Sequence, residues 1–168
     1  MVKIVQQEAA VLRQQAQEVP VGKIVSPEIK KVLKAMSAAL AKEEDGVAIA
    51  APQIGVSMRI FVVSGRLITE EGEKLKDDLI FINPVIKSAS KKKVAMDEGC
   101  LSVRWLYGKV KRADKATVEA YDEKGKKFTR HGSGLWAQIF QHEIDHLDGI
   151  LFIDKASDLT EMKPEDIK

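Results

Sequence analysis

The sequence has a single cysteine among its 168 residues. One thiol cannot close an internal disulfide, so a stapled secreted scaffold is excluded and a reducing compartment, the cytoplasm, is expected. No apolar stretch approaches the roughly 20 residues of a membrane span. Met1–Ala10 carries no apolar run of signal-peptide length. An excess of one charge is missing too: 27 Lys and Arg face 25 Asp and Glu, leaving +2. Such a balance singles out no partner class, and Lys91-Lys92-Lys93 is short enough to be a solvated face rather than a nucleic-acid site. There is no internal repeat and no low-complexity segment. With 45% hydrophobic and 31% charged residues, the chain reads as one globular domain over 1–168, with a polar tail from about 157.

What the sequence does contain is Gln141-His142-Glu143-Ile144-Asp145-His146-Leu147-Asp148-Gly149. On a helix, residues four apart share a face, roughly 6 Å apart along the axis. His142 and His146 can therefore hold one metal ion, with Glu143 beside its open position, ready to work on a water. Ser133 is a candidate cap, Leu135, Ile139 and Leu147 form an apolar stripe, and Gly149 is a candidate stop. The competing reading is a solvated helix that happens to carry two histidines. A catalytic ion of this kind takes three protein ligands and one open position. Cys100, in Glu98-Gly99-Cys100-Leu101-Ser102, is the candidate third ligand, against the alternative of a small core filler. His131 lies off the helix face and reads as a surface or capping histidine.

A third block, Gly46-Val47-Ala48-Ile49-Ala50-Ala51-Pro52-Gln53, reads as a small-residue loop that lets an extended ligand lie against its backbone. It lacks the GxGxxG spacing and the lysine-serine pair of a phosphate cradle. The three blocks in this order resemble peptide deformylase, from about Val5 to about Asp154. The resemblance implies that Cys100, His142 and His146 hold iron(II), with zinc, nickel or cobalt as substitutes. It implies that Glu143 is the general base, and that the Gln53 side chain and the Leu101 N–H receive the charge on the formyl oxygen. Substrates would be N-formylmethionyl peptides, nascent chains at the ribosome, and the product would include formate. Gly46, Val47, Ala48, Gly99 and Ile139 would border the substrate, with Val47 and Ile139 around the methionine side chain. A monomer with no membrane contact is expected. Two positions depart from the family pattern. Ala48 stands where a second glycine is usual, and Arg104-Trp105 replaces a common proline-glycine.

Along the chain, Val2–Val5 suggests a short strand, and Ser26-Pro27 opens a helix with Ile29, Val32, Leu33, Met36 and Leu40 at helical spacing. Met58–Ser64, Leu79–Ile82, Val110, Ala116–Tyr121 and Phe128 suggest strands, with turns at Asn83-Pro84 and Glu123–Lys126. Ile150–Ile153 suggests a last short strand. The fold class is α+β: mainly antiparallel β-sheets around a central metal-bearing helix. Two other functions stay open. A zinc peptidase of the two-histidine type would need a ligand beyond His146, where Asp154, Asp158 and Glu161 stand. A catalytically dead relative would only bind peptides.

Overall fold

A computed structural model describes residues 2–167; Met1 and Lys168, the ends of the predicted domain, fall outside it. The first helix, α1 (Pro27–Ala41), starts where the sequence placed it, with Pro27 at its first position and Ser26 Oγ accepting the Ile29 N–H at 3.4 Å. Loss of that cap in Ser26→Ala is expected to cost about 0.5–1 kcal/mol, read as a lowered denaturation midpoint. Strands β1 (Ala48–Ala50), β2 (Ile60–Val63), β3 (Leu79–Ala89), β6 (Lys115–Tyr121) and β7 (Lys127–Ser133) form one antiparallel sheet in the order β1-β2-β3-β6-β7. Strands β4 (Lys93–Gly99), β5 (Leu106–Ala113) and β8 (Ser157–Glu161) form the second, in the order β4-β5-β8.

The second helix, α2 (Leu135–Leu147), touches strands of both sheets, so the expected arrangement of antiparallel sheets around one helix is what the structure has. Strand β2 is buried along its whole length because helices cover both faces of its sheet. Successive strand residues point to opposite faces. Phe61 and Val63 therefore join Phe81, Trp136, Ile139 and Phe140 on the α2 side, while Ile60 and Val62 join Leu33, Met36 and Leu40 on the α1 side. The rings of Phe61 and Phe81 stack at 4.4 Å, and each such buried side chain contributes about 1.5–3 kcal/mol.

Several local expectations are corrected. Val2–Val5 is not a strand. Asn83-Pro84 is not a turn but a bulge inside β3, where the pairing with β6 shifts register. Asn83 takes φ +51° and its side chain closes two 2.8 Å hydrogen bonds with the Val19 backbone, which fixes a conformation asparagine tolerates well. Ile150–Ile153 is not a strand either; Phe152–Asp154 is a 3-10 turn, closed by Asp154 accepting the Leu151 N–H at 3.0 Å. The last strand lies instead in the expected polar tail. All of β8 is exposed, so it has no apolar alternation to reveal it, yet it pairs with β5. Ser133 belongs to β7 and does not cap α2. Its N–H and hydroxyl both bond Glu70, and Gly134 occupies the cap position.

Candidate functional site

Strand β4 ends at Gly99 and delivers Cys100 to the face of α2 that carries His142 and His146. The three ligand atoms lie within 4.8 Å of one another. Cys100 Sγ is 3.3 Å from His146 Nε2. His142 uses Nδ1 on the Glu98 carboxylate, which leaves Nε2 as its free donor. Glu143 is buried, and its Oε2, like His146 Nδ1, has no hydrogen-bond partner among the described residues. Buried polar atoms are rarely left unpartnered outside functional sites.

A chain of charges stands behind the histidines. Arg112 donates to Glu98 at 2.6 and 3.2 Å and to Asp145 at 2.6 Å, and Lys155 reaches Asp145 at 3.0 Å. Burial works to raise the Glu98 pKa, but hydrogen bonds from His142 and Arg112 outweigh it and hold the carboxyl at about 2. Burial likewise opposes charge on His142, yet hydrogen bonds to Cys100 and Glu98 push its pKa well above the ordinary imidazole value. Burial, helped by the neighbouring His142, pushes the His146 pKa well down and keeps its ring neutral, as a ligand requires. Burial raises the Glu143 pKa to about 7.

A cavity of about 310 Å³ opens beside these groups. Each residue the sequence placed around the substrate lines it: Gly46, Val47 and Ala48 at the start of the first sheet, Gly99 at the end of β4, and Ile139 on α2. Gln53, Leu101 and Glu143 line it as well. The Gly46–Gln53 block is not a loop throughout, since Ala48–Ala50 is β1 and a 3-10 turn, Ala51–Ile54, follows it. Gln53 is held from both ends. Its Oε1 accepts the Ala50 N–H at 2.8 Å, and its Nε2 donates to Ser102 Oγ at 3.1 Å and towards Cys100 Sγ at 3.7 Å. Gly99 has a packing reason: a Cβ there would sit 2.7 Å from the Tyr107 ring. Ala48 is only 6% exposed and packs with Ala50, Phe61 and Val63. Ala48→Gly is therefore expected to cost about 0.5–1 kcal/mol of stability, with KM nearly unchanged. A melting curve and peptide kinetics on the same sample check both halves.

His131 lies outside this group, on β7, with Nδ1 2.8 Å from the Thr117 hydroxyl. Asp154, needed by the peptidase alternative, is paired with Arg13 at 2.6 Å, and Asp158 and Glu161 are exposed on β8. Among the described residues, Cys100, His142 and His146 form the one cluster with metal-ligand geometry.

Sequence reasoning missed Glu98, Arg112, Asp145 and Ser102. A signal for Arg112 exists. In β5, Lys109 and Lys111 are exposed while Val110 and Arg112 are buried, so strand parity alone puts an arginine inside. An inward arginine demands carboxylates, and Glu98 stands on the neighbouring strand.

One thiolate and two imidazoles are a donor set that divalent transition ions accept, and here the donors already converge. Together with a buried unpartnered glutamate in a cavity wide enough for a peptide end, they mark a metal-dependent hydrolase. Comparison with known proteins then narrows the class. The model of the polypeptide deformylase family matches residues 1–162. Peptide deformylase of Desulfitobacterium hafniense is 44% identical over 154 residues, 92% of this chain and 93% of that one. The crystal structure of a probable peptide deformylase from Synechococcus phage S-SSM7 superposes with a TM-score of 0.80 at 38% identity, over 92% of this chain and 99% of that one. The Met-Ala-Ser-bound class I type b peptide deformylase of Acinetobacter baumannii gives 0.82 at 29% identity, over 92% and 97%. The chain belongs to the polypeptide deformylase family, and its activity is the metal-dependent removal of formyl groups from the N-termini of peptides.

Proposed function

We propose that the chain hydrolyses the formyl amide of N-formylmethionyl nascent polypeptides and releases formate, with Cys100, His142 and His146 as the ligands of one iron(II). The observation that carries this reading is the convergence of those three donors beside the unpartnered Glu143 carboxylate. A divalent ion so held supplies a Lewis acid that makes a water nucleophilic near neutral pH. The peptide enters as an added strand. Strands β1 and β4 are outer strands of their sheets, and residues of both border the cavity. Val47 and Ile139 enclose the methionine side chain. Glu143 takes the proton of the attacking water at its carboxylate and returns it to the leaving amine as the C–N bond breaks. The Gln53 amide and the Leu101 N–H receive the negative charge that builds on the formyl oxygen. Glu98 holds His142 in the tautomer and orientation a ligand needs, an arrangement in which a carboxylate backs a metal-bound imidazole.

Iron(II) is accepted by a site with one sulfur and two nitrogens, and zinc, nickel or cobalt would fit the same donors. A single domain spanning 1–168, acting as a monomer on chains leaving the ribosome in the cytoplasm, completes the reading. No helix among the described residues is long and apolar enough to cross a membrane. The test is formate release from formyl-Met-Ala-Ser by protein purified without oxygen, with elemental analysis of the same sample. Formate in step with iron content is expected; a metal-loaded protein that releases none would overturn the reading.

A further inference from the structure

We infer that Trp105 is a specificity-determining residue whose ring forms the wall for an apolar or aromatic side chain downstream of the first substrate residue. The inference rests on the deformylase reading above. Gln53 and Glu143, both buried, line the cavity together with the half-buried Cys100 and His142. Other lining residues are open to water. Trp105, half-buried, lines the same cavity as Leu135, a residue at the start of α2 that is 49% exposed. Apolar surface left in water at the mouth of a peptide groove gains by being covered.

The Trp105 ring is set before any peptide arrives. The Trp105 backbone carbonyl accepts the Met162 N–H at 3.0 Å, which ties its main chain to the residue after β8. The Arg104 guanidinium lies over the ring, 4.7 Å from its centroid. Arg104 is itself pinned, by Asp45 at 2.6 and 3.2 Å, by Glu43 at 2.6 Å, and through its N–H by Gln6 Oε1 at 3.3 Å. A wall held this way loses little side-chain freedom when a ligand covers it. The same bonds exclude Arg104 as a selector of acidic side chains. With two carboxylates on it and 18% of its side chain exposed, Arg104 has no charge left to select an acidic residue. Selection here therefore falls to the aromatic face.

The experiment compares kcat/KM for formyl-Met-Ala-Ala, formyl-Met-Phe-Ala and formyl-Met-Ala-Phe in the wild type, Trp105→Ala and Trp105→Phe. The wild type is expected to favour one phenylalanine peptide by about three- to tenfold, the share of an aromatic pair, with the gain in KM. Trp105→Ala should bring that ratio close to one, and Trp105→Phe should keep part of it. No preference in the wild type, a preference that survives in Trp105→Ala, or an equal loss on all three peptides with no change of ratio would overturn the inference. Absence of formate from every peptide with wild-type protein would instead remove the deformylase reading beneath it.

Discussion

Cys100→Ala is expected to leave the purified chain nearly free of tightly bound metal and without measurable deformylation. Two imidazoles remain in that variant, His142 still backed by Glu98 and His146 still neutral. Two imidazoles alone hold a divalent ion weakly, because catalytic sites of this kind rely on three protein ligands. The thiolate is also the only anionic member of the set. Its removal leaves the charge of the ion balanced only at a distance, by Glu98 and Glu143. Loss of an outer-shell partner typically costs about 10–100-fold in metal affinity, so loss of the ligand itself should cost more. Cys100→Ser separates charge from donor type: a hydroxyl occupies the position without the soft anionic sulfur, and it should bind iron poorly. Elemental analysis after desalting gives the readout. Stoichiometric metal with retained activity in Cys100→Ala would show that some other group completes the site.

How much of this site the sequence displays follows from the kind of signal each part leaves. His142, Glu143 and His146 are legible because helical spacing is local, and three residues within five positions place themselves on one face. Cys100 is legible only as a candidate, since nothing in the chain between 100 and 142 states that β4 ends against α2. The Glu98–Arg112–Asp145 chain is harder still. Its members come from two strands and a helix, and each looks like an ordinary surface charge until strand parity is followed through Lys109 to Arg112. The fold divides in the same way. Strands with one wet face, such as β6, alternate and can be read. β2, covered on both faces, shows as an apolar run, and β8, exposed on both, shows as a polar tail. Asn83-Pro84 carries every local mark of a turn, and only the long-range bonds to Val19 keep the strand going.

Glu143→Gln should keep the metal and lose at least about a hundredfold in kcat, the usual share of a positioned general base. The two halves of that outcome come from separate features. Glu143 does not belong to the triad of converging ligand atoms, so replacing its carboxylate with an amide removes no donor from the ion. Glutamine has nearly the same volume, and Glu143 Oε2 makes no hydrogen bond to the described residues that an amide would break. Stability and metal content should therefore stay close to those of the parent. What the amide cannot do is accept a proton from the attacking water and return one to the leaving amine. Gln53 and the Leu101 N–H still offer their donors to the formyl oxygen, so a residual rate from charge stabilisation and positioning is expected rather than none. KM for formyl-Met-Ala-Ser should move little, because Glu143 acts on the water and not on the peptide. Elemental analysis and steady-state kinetics on one preparation decide the matter. A metal-free variant would make Glu143 a ligand, and a variant within a few-fold of parental kcat would move the proton transfer to another group.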